Sequence, residues 1–423
     1  MMQSFRQILK PDFTTICGRI LLAALLLSLS TGCEKFAGEK TDLDFIEPPD
    51  LRGNREIAYV PVLPVLDEFV RPVDITIGFD DLIYVVDEAT QEVIVLDESG
   101  RILGSKFVPG AKAVTHDRRF DLLVVGTMDT NLVQGSNTVT RTLSCIYRLN
   151  QFAGGDYNLN TAEISNKIVH PFYFKSNATD FDEVDNVSFQ KVDIVGDNNS
   201  AQENNAFYAT RSGSNTTGVL GPDDAVIFFN NKDEFVTPIR VNTSVSGVRD
   251  DYFQSPIGIS TFTKPPQINA VGGRSFLFTS LDESTSLKVQ RINFVETELS
   301  AFFNVDILAT GIDTSQANGF INKPGKFELP TDVYVTGDGN NNIIVSDRGT
   351  DSIYQFSSTG FEGVEPPAAT GLEKFQSVSF GGTGSGVTEF RDPAAVAHFR
   401  DILYVADAGN GRVLRFKLTI DFD

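Results

Sequence analysis

DDLIYVVDEATQEVIVLDESG (residues 80–100), NNNIIVSDRGTDSIYQFSSTG (340–360) and RDILYVADAGNGRVLRFKLTI (400–420) align without a gap. In each, an apolar run (Ile83 to Val85, Ile343 to Val345, Leu403 to Val405) leads to an acid: Asp87, Asp347 or Asp407. Six residues after the acid a second apolar alternation begins, at Val93, Ile353 or Val413. The pattern predicts a strand, a tight turn and a second strand, repeated. A unit of this size cannot bury both of its faces alone, so copies must stack on one another.

Three degenerate copies complete the set: LLVVGT (122–127), FYATR (207–211) and FLFTSL (276–281). With the acid position as marker, the series runs Asp87, Thr127, Arg211, Leu281, Asp347, Asp407. The spacing is irregular around a constant kernel, which places insertions in loops around a fixed strand set. Five units are preceded by a proline-led segment, starting at Pro72, Pro109, Pro256, Pro330 and Pro393. Proline is tolerated at a strand's first residue, where no ladder hydrogen bond has to be donated. Each unit therefore reads as strand a, strand b, an acid-bearing turn, strand c and a fourth segment d. Six four-stranded sheets arranged radially make an all-β, six-bladed β-propeller, which leaves only short, protected edges. The last unit stops near Leu418 after its third strand. Ile57 to Val65 is expected to supply the missing fourth, closing the ring by pairing the two ends of the chain. Pro61 and Pro64 require that strand to be an outer edge.

The kernels, P-x-x-(I/V) followed by (I/L)-Y-V-x-D-x5-(V/I), resemble NHL repeats, and the set of six is similar to NHL-like and TolB-like six-bladed propellers. The resemblance is close over 72–100, 330–360 and 393–418 and loose over the three middle units.

The chain has 423 residues, 41% hydrophobic and 10% aromatic, with 34 Phe and no Trp. Aromatic residues suit pleated, half-buried surfaces. Helix-period stretches are absent apart from ambiguous runs such as Phe294 to Phe303. The first residues stand outside the repeat. Arg6, Lys10 and Arg19 precede a short apolar run, Ile20 to Leu29, too short to span a bilayer as a helix and typical of a cleaved signal. Thr31-Gly32-Cys33 follows and resembles the lipobox of bacterial lipoproteins, with Ser30 in place of the usual aliphatic residue. The resemblance implies a leader over 1–32, lipidation of Cys33, a polar tether over 33–55 and a body over 56–423. Leader and body together are similar to propeller lipoproteins of the Bacteroidetes, which implies an outer-membrane location and a partner among envelope proteins.

A net charge of −21 repels nucleic acid and anionic headgroups. Membrane contact is therefore expected through the lipid on Cys33 alone. With Cys33 acylated and Cys17 in the leader, Cys145 has no partner in the chain and is expected to be a buried thiol.

The recurrence of Asp87, Asp347 and Asp407 argues for a shared local task, accepting backbone N–H bonds in the turn. His116 and His398 share one repeat position late in strand a. Two histidines without a third ligand are a weak zinc signal. The resemblance would extend to peptide-amidating lyases, which bear a zinc-binding His after the proline opening strand a; here Val73, Ile257, Thr331 and Ala394 stand there, and none is a useful zinc ligand. Gluconolactonase-like propellers gather Glu, Asn and Asp around a divalent cation in the channel, and Asp74 and Asp332 sit at matching places in strand a. GDGNNN (337–342) hints at a structural calcium ion but reads more simply as a hairpin turn.

No catalytic, cofactor-binding or metal-binding residue is assigned. The polar insertions 127–142, 154–183, 211–224, 306–329 and 361–391 are expected on the face of the b–c turns and blade crossings, with 196–205 and 264–274 opposite. Insertions gathered on one face of a repeat scaffold mark a binding face. The sequence thus points to a lipid-anchored envelope binding or scaffold protein. The rival is a metal-dependent hydrolase or lyase using the central channel.

Overall fold

The computed structural model describes residues 56–421 except 135, 170–186, 196–204, 214–222, 267–272, 309–314 and 316. The leader, Cys33 and the tether lie outside the described residues. The described chain forms six small sheets, antiparallel apart from one added strand in blade 4, the blades of a six-bladed β-propeller. Blade 1 shows the plan: strands a to d are Pro72–Ile77, Ile83–Asp87, Glu92–Leu96 and Ile102–Phe107, hydrogen-bonded in that order.

Strand b is the buried centre of each blade, and this explains its unbroken apolar run. In blade 1, Tyr84 and Val86 pack with Leu122 and Val124 of blade 2, while Ile83 and Val85 pack with blade 6. Both faces are covered, each fully buried aliphatic side chain contributing about 1.5–3 kcal/mol.

The opening prolines coincide with a bulge. Pro72 pairs with Asp87, but Asp74 already pairs with Val86, so Val73 is the extra residue; Pro330/Asp332 and Pro393/Ala395 repeat this. Such a bulge re-aims the residues that follow it toward the axis. Blade 2 departs from the expected proline-led strand, because its strand a is Ala113–His116 and Pro109 lies before it.

Packing also corrects two repeat markers. Leu122 and Val124 face the preceding blade, as Ile83 and Val85 do, so Gly126 rather than Thr127 occupies the acid position. In blade 4, Pro256 pairs with Ser280, which makes Ser280 rather than Leu281 the equivalent. Small residues stand there without the acid, so an apolar-run alignment slips by one.

The ring closes as expected. Tyr59, Val60 and Pro61 pair with Leu418, Lys417 and Phe416 at the outer edge of blade 6. Phe294 to Phe303 is not helical: Val289–Glu296 and Ala301–Asp306 are antiparallel strands in which the two phenylalanines pair directly. Blade 4 carries an unforeseen extension, since Val241–Thr243 adds parallel to Ala301–Asp306 and hairpins with Gly247–Arg249.

The insertions do not collect on one face. The b–c hairpin of blade 2 is a long arm whose strands run Asp121–Gln134 and Asn137–Asn150. The segment expected as one insertion at 154–183 is split, because Glu163–Val169 is strand d of blade 2. Residues 151–162 are therefore a c–d turn on the opposite face. In blade 5, strand c ends at Phe356 and strand d is Phe380–Gly381, so 357–379 also lies on the face of the a–b turns. Short d strands are hard to see in sequence, and overlooking one assigns a loop to the wrong end. Cys145 is a free, buried thiol. Burial pushes it up to about 12 although the Tyr147 hydroxyl bonds to it, which makes it inert.

Candidate functional site

The repeat acids are staples. Asp87 accepts from the N–H groups of Val70 (2.6 Å), Arg71 (3.2 Å), Ala89 (3.1 Å) and Thr90 (3.3 Å). It therefore binds its own b–c turn to the chain entering strand a. Asp347 does the same with Glu328 (2.7 Å), Leu329 (2.9 Å) and Gly349 (2.8 Å). Asp407 accepts from the N–H of Arg391 and from the Arg412 guanidinium, both at 2.8 Å. All three are buried, and their oxygens are spent on the fold.

Strand a delivers its residues to the axis. Asp74 and Asp332, from blades 1 and 5, both meet Lys191 of blade 3: its Nζ lies 2.8 Å from Asp74 Oδ1 and 2.6 Å from Asp332 Oδ1. The second oxygen of each acid accepts from the backbone of the next blade, Asp74 from Val114 N–H (2.7 Å) and Asp332 from Val396 N–H (3.1 Å). Burial opposes a charged Lys191, yet the Asp332 and Asp74 carboxylates outweigh it and hold the ammonium above its ordinary range. One cation cannot neutralise two buried carboxylates. Burial, and then Asp74, push Asp332 up to about 6 against the pull of Lys191. Deeper on the axis, Asp193 accepts from Lys264 Nζ and from Thr261 N–H, both at 2.7 Å, while Lys264 lies 4.8 Å over the Tyr334 ring.

The acids considered for a channel cation are thus brought together around an ammonium group. The sequence reading missed Lys191 because blade 3 lacks the opening proline. The signal was there: in SFQKVDI (188–194) a lysine stands in the repeat position of Asp74 and Asp332. The mouth of the channel above this group is a cavity of about 140 Å³ that also exposes Lys112, Arg348 and Asp392.

His116 and His398 do share one repeat position, pairing with Leu122 and Leu403, each four residues before the acid position. They do not meet. His116 is buried between blades 1 and 2, where its Nδ1 accepts from Phe79 N–H (3.0 Å) and its Nε2 lies 3.1 Å from the Tyr157 hydroxyl. Tyr157 and Tyr84 both donate to Asp80 Oδ2, at 2.5 and 2.6 Å, and the Tyr84 ring stacks on the imidazole.

His398 is only 8% exposed, and its ring nitrogens have no hydrogen-bond partner among the described residues. It lines a polar cleft of about 790 Å³ on the a–b face, between blades 5 and 6. The 337–342 turn, loop 357–379 and the closing ends of the chain form the walls. Burial lowers the His398 pKa although Asp338 and Asp401 favour the cation, so the ring is neutral near pH 7. Burial first, then Asp401, push Asp421 upward. The 337–342 segment is the hairpin turn: Asp338 Oδ1 accepts from Thr336 Oγ1 (2.8 Å) and Asn340 N–H (3.0 Å). Among the described residues, no three His, Cys, Asp or Glu side chains converge to hold a metal ion.

Fold and axis together define a six-bladed propeller with an ion-paired core. No family model matches the chain, and no curated protein matches it either. Among solved structures it is similar to regucalcin, a calcium-binding protein from Agrobacterium tumefaciens (10% identity, 85% of this chain and 93% of that one, TM-score 0.45). It is also similar to a gluconolactonase from Xanthomonas campestris (10%, 86% and 94%, TM-score 0.45). Virginiamycin B lyase from Staphylococcus aureus is a third such structure (10%, 86% and 99%, TM-score 0.41). These likenesses are likenesses of fold.

Proposed function

We propose that this protein is a lipid-anchored binding propeller of the bacterial envelope, held to the outer membrane through Cys33 and contacting an envelope partner with its loops. The observation that carries this reading is the Lys191 ammonium between Asp74 and Asp332. A metal-dependent hydrolase or lyase working in the channel needs free oxygen ligands on the axis. Here those oxygens accept from Lys191, Val114 and Val396 instead. The donor set does not fit a divalent cation, whereas a rigid ion-paired axis suits a scaffold that presents loops. The short apolar run Ile20 to Leu29, Cys33 four residues beyond it and the polar segment that follows support an anchored body.

The test is affinity purification of the full-length protein from native membranes, with metal analysis of the product. A defined envelope partner and no stoichiometric Ca²⁺ or Zn²⁺ are expected. Stoichiometric metal that is lost when Asp74 and Asp332 are both replaced by Asn would place the ion in the channel and overturn the reading in favour of the enzyme. The Cys33→Ser variant should leave the membrane fraction; if it stays, the anchor lies elsewhere.

A further inference from the structure

The cleft between blades 5 and 6 combines three features. It is large enough for a ligand, within the usual range of about 300–1,000 Å³. Asp338, Glu365, Asp401 and Asp421 line it, and no Lys or Arg does. His398 lines it too, buried and without a hydrogen-bond partner among the described residues. A ring nitrogen that opens onto the cleft is satisfied there by water or by a donor on a ligand.

We propose that this cleft binds an organic cation, a primary ammonium or guanidinium group whose N–H donates to the His398 ring and whose charge faces the four carboxylates. The inference rests on the binding reading above and names its ligand. A metal ion fits poorly, because Asp338 already spends its oxygens on Thr336 and Asn340. A flexible cationic chain fits better: Phe375 and the Pro366–Pro367 wall offer apolar contact for an alkyl stem beside the charged head. The shared chemistry has two sources, a Lys or Arg side chain of a protein partner and a free polyamine.

The experiment measures binding of a fluorescently labelled tetralysine peptide to the full-length protein by anisotropy, with spermidine as competitor and a tetraglutamate peptide as control. Tetralysine should bind and tetraglutamate should not. Asp401→Asn and His398→Phe should each weaken binding by about tenfold, as expected for loss of a charge-assisted contact. His398→Gln, which keeps an acceptor, should recover part of the loss. Asp250→Asn, at an exposed carboxylate paired with Arg240 outside the cleft, should leave affinity unchanged. Competition by spermidine at matching concentration identifies a free polyamine; competition only by longer lysine peptides identifies a protein side chain. The inference is overturned if Asp250→Asn weakens binding as much as Asp401→Asn, since the peptide then senses only net charge. It is also overturned if both His398 variants bind like the unmodified protein, or if tetralysine does not bind. Failure of the parent reading looks different: the unmodified protein then captures no envelope partner whatever the peptide does. If the unmodified protein captures a partner but tetralysine does not bind, the cleft inference falls alone.

Discussion

His116 and His398 stand at one position of the same repeat, yet their surroundings have opposite character. In blade 2 the c–d turn folds back beneath strand a and delivers Tyr157, which closes a network of Asp80, Tyr84 and His116. In blade 6 strands c and d come from opposite ends of the chain, so no single c–d turn exists to deliver such a residue. His398 consequently faces a cleft. The repeat fixes where a side chain sits; the connecting segments decide whether it is sealed into the structure or left available to a ligand.

The contrast can be broken first at its satisfied extreme, the axis. Lys191→Met leaves two buried carboxylates without their cation and should cost about 3–5 kcal/mol in urea denaturation. Replacing Asp74 and Asp332 by Asn in the same protein should recover much of that loss. The triad also predicts a pH dependence. Asp332 holds its proton up to about 6 in the folded state, well above the ordinary carboxyl value of 3.8. Its contribution to stability is thus fully present below that lower value and lost as pH rises to about 6. Asp332→Asn should remove this slope, and an unchanged slope would show that another group titrates.

At the histidines, His116→Ala removes a buried, doubly bonded ring and should destabilise by about 2–4 kcal/mol. Tyr157→Phe should cost about 1–2 kcal/mol, since it leaves Asp80 and His116 short of one partner while preserving the ring. His398→Phe should change stability by less than about 1 kcal/mol, because a group without a partner loses nothing when it becomes apolar. Equal losses from His116→Ala and His398→Ala would erase the comparison.

Much of the architecture was legible. Two-faced burial of strand b writes itself as an apolar run, and the staple acid marks the turn after it, so blades 1, 5 and 6 could be read directly. Closure was legible because the sixth unit lacks a strand that the first residues of the body can supply. Blades 2 and 4 carry Gly126 and Ser280 where the acid would stand, and this displaced their register by one. Strand d was hardest. It is short and half-exposed, as in Phe380–Gly381, and overlooking it transferred 361–379, the first part of the expected 361–391 insertion, to the wrong face. The site was less legible than the fold. The Lys191 contacts join blades 1, 3 and 5, and the cleft joins a turn, a long loop and both ends of the body. Such meetings depend on the closed ring and leave no local pattern.

The pairing of Tyr59–Pro61 with Phe416–Leu418 also sets an order of events. A strand at the start of the body can complete its blade only after the last strand of the chain has been made. During synthesis the N-terminal segment must wait, with one edge of its partner blade missing, until every other blade is in place. Closure is the step of longest sequence separation and hence of greatest loop-closure cost. If the N-terminus is anchored at Cys33 as proposed, the ring is locked by the same end of the chain that ties it to the membrane.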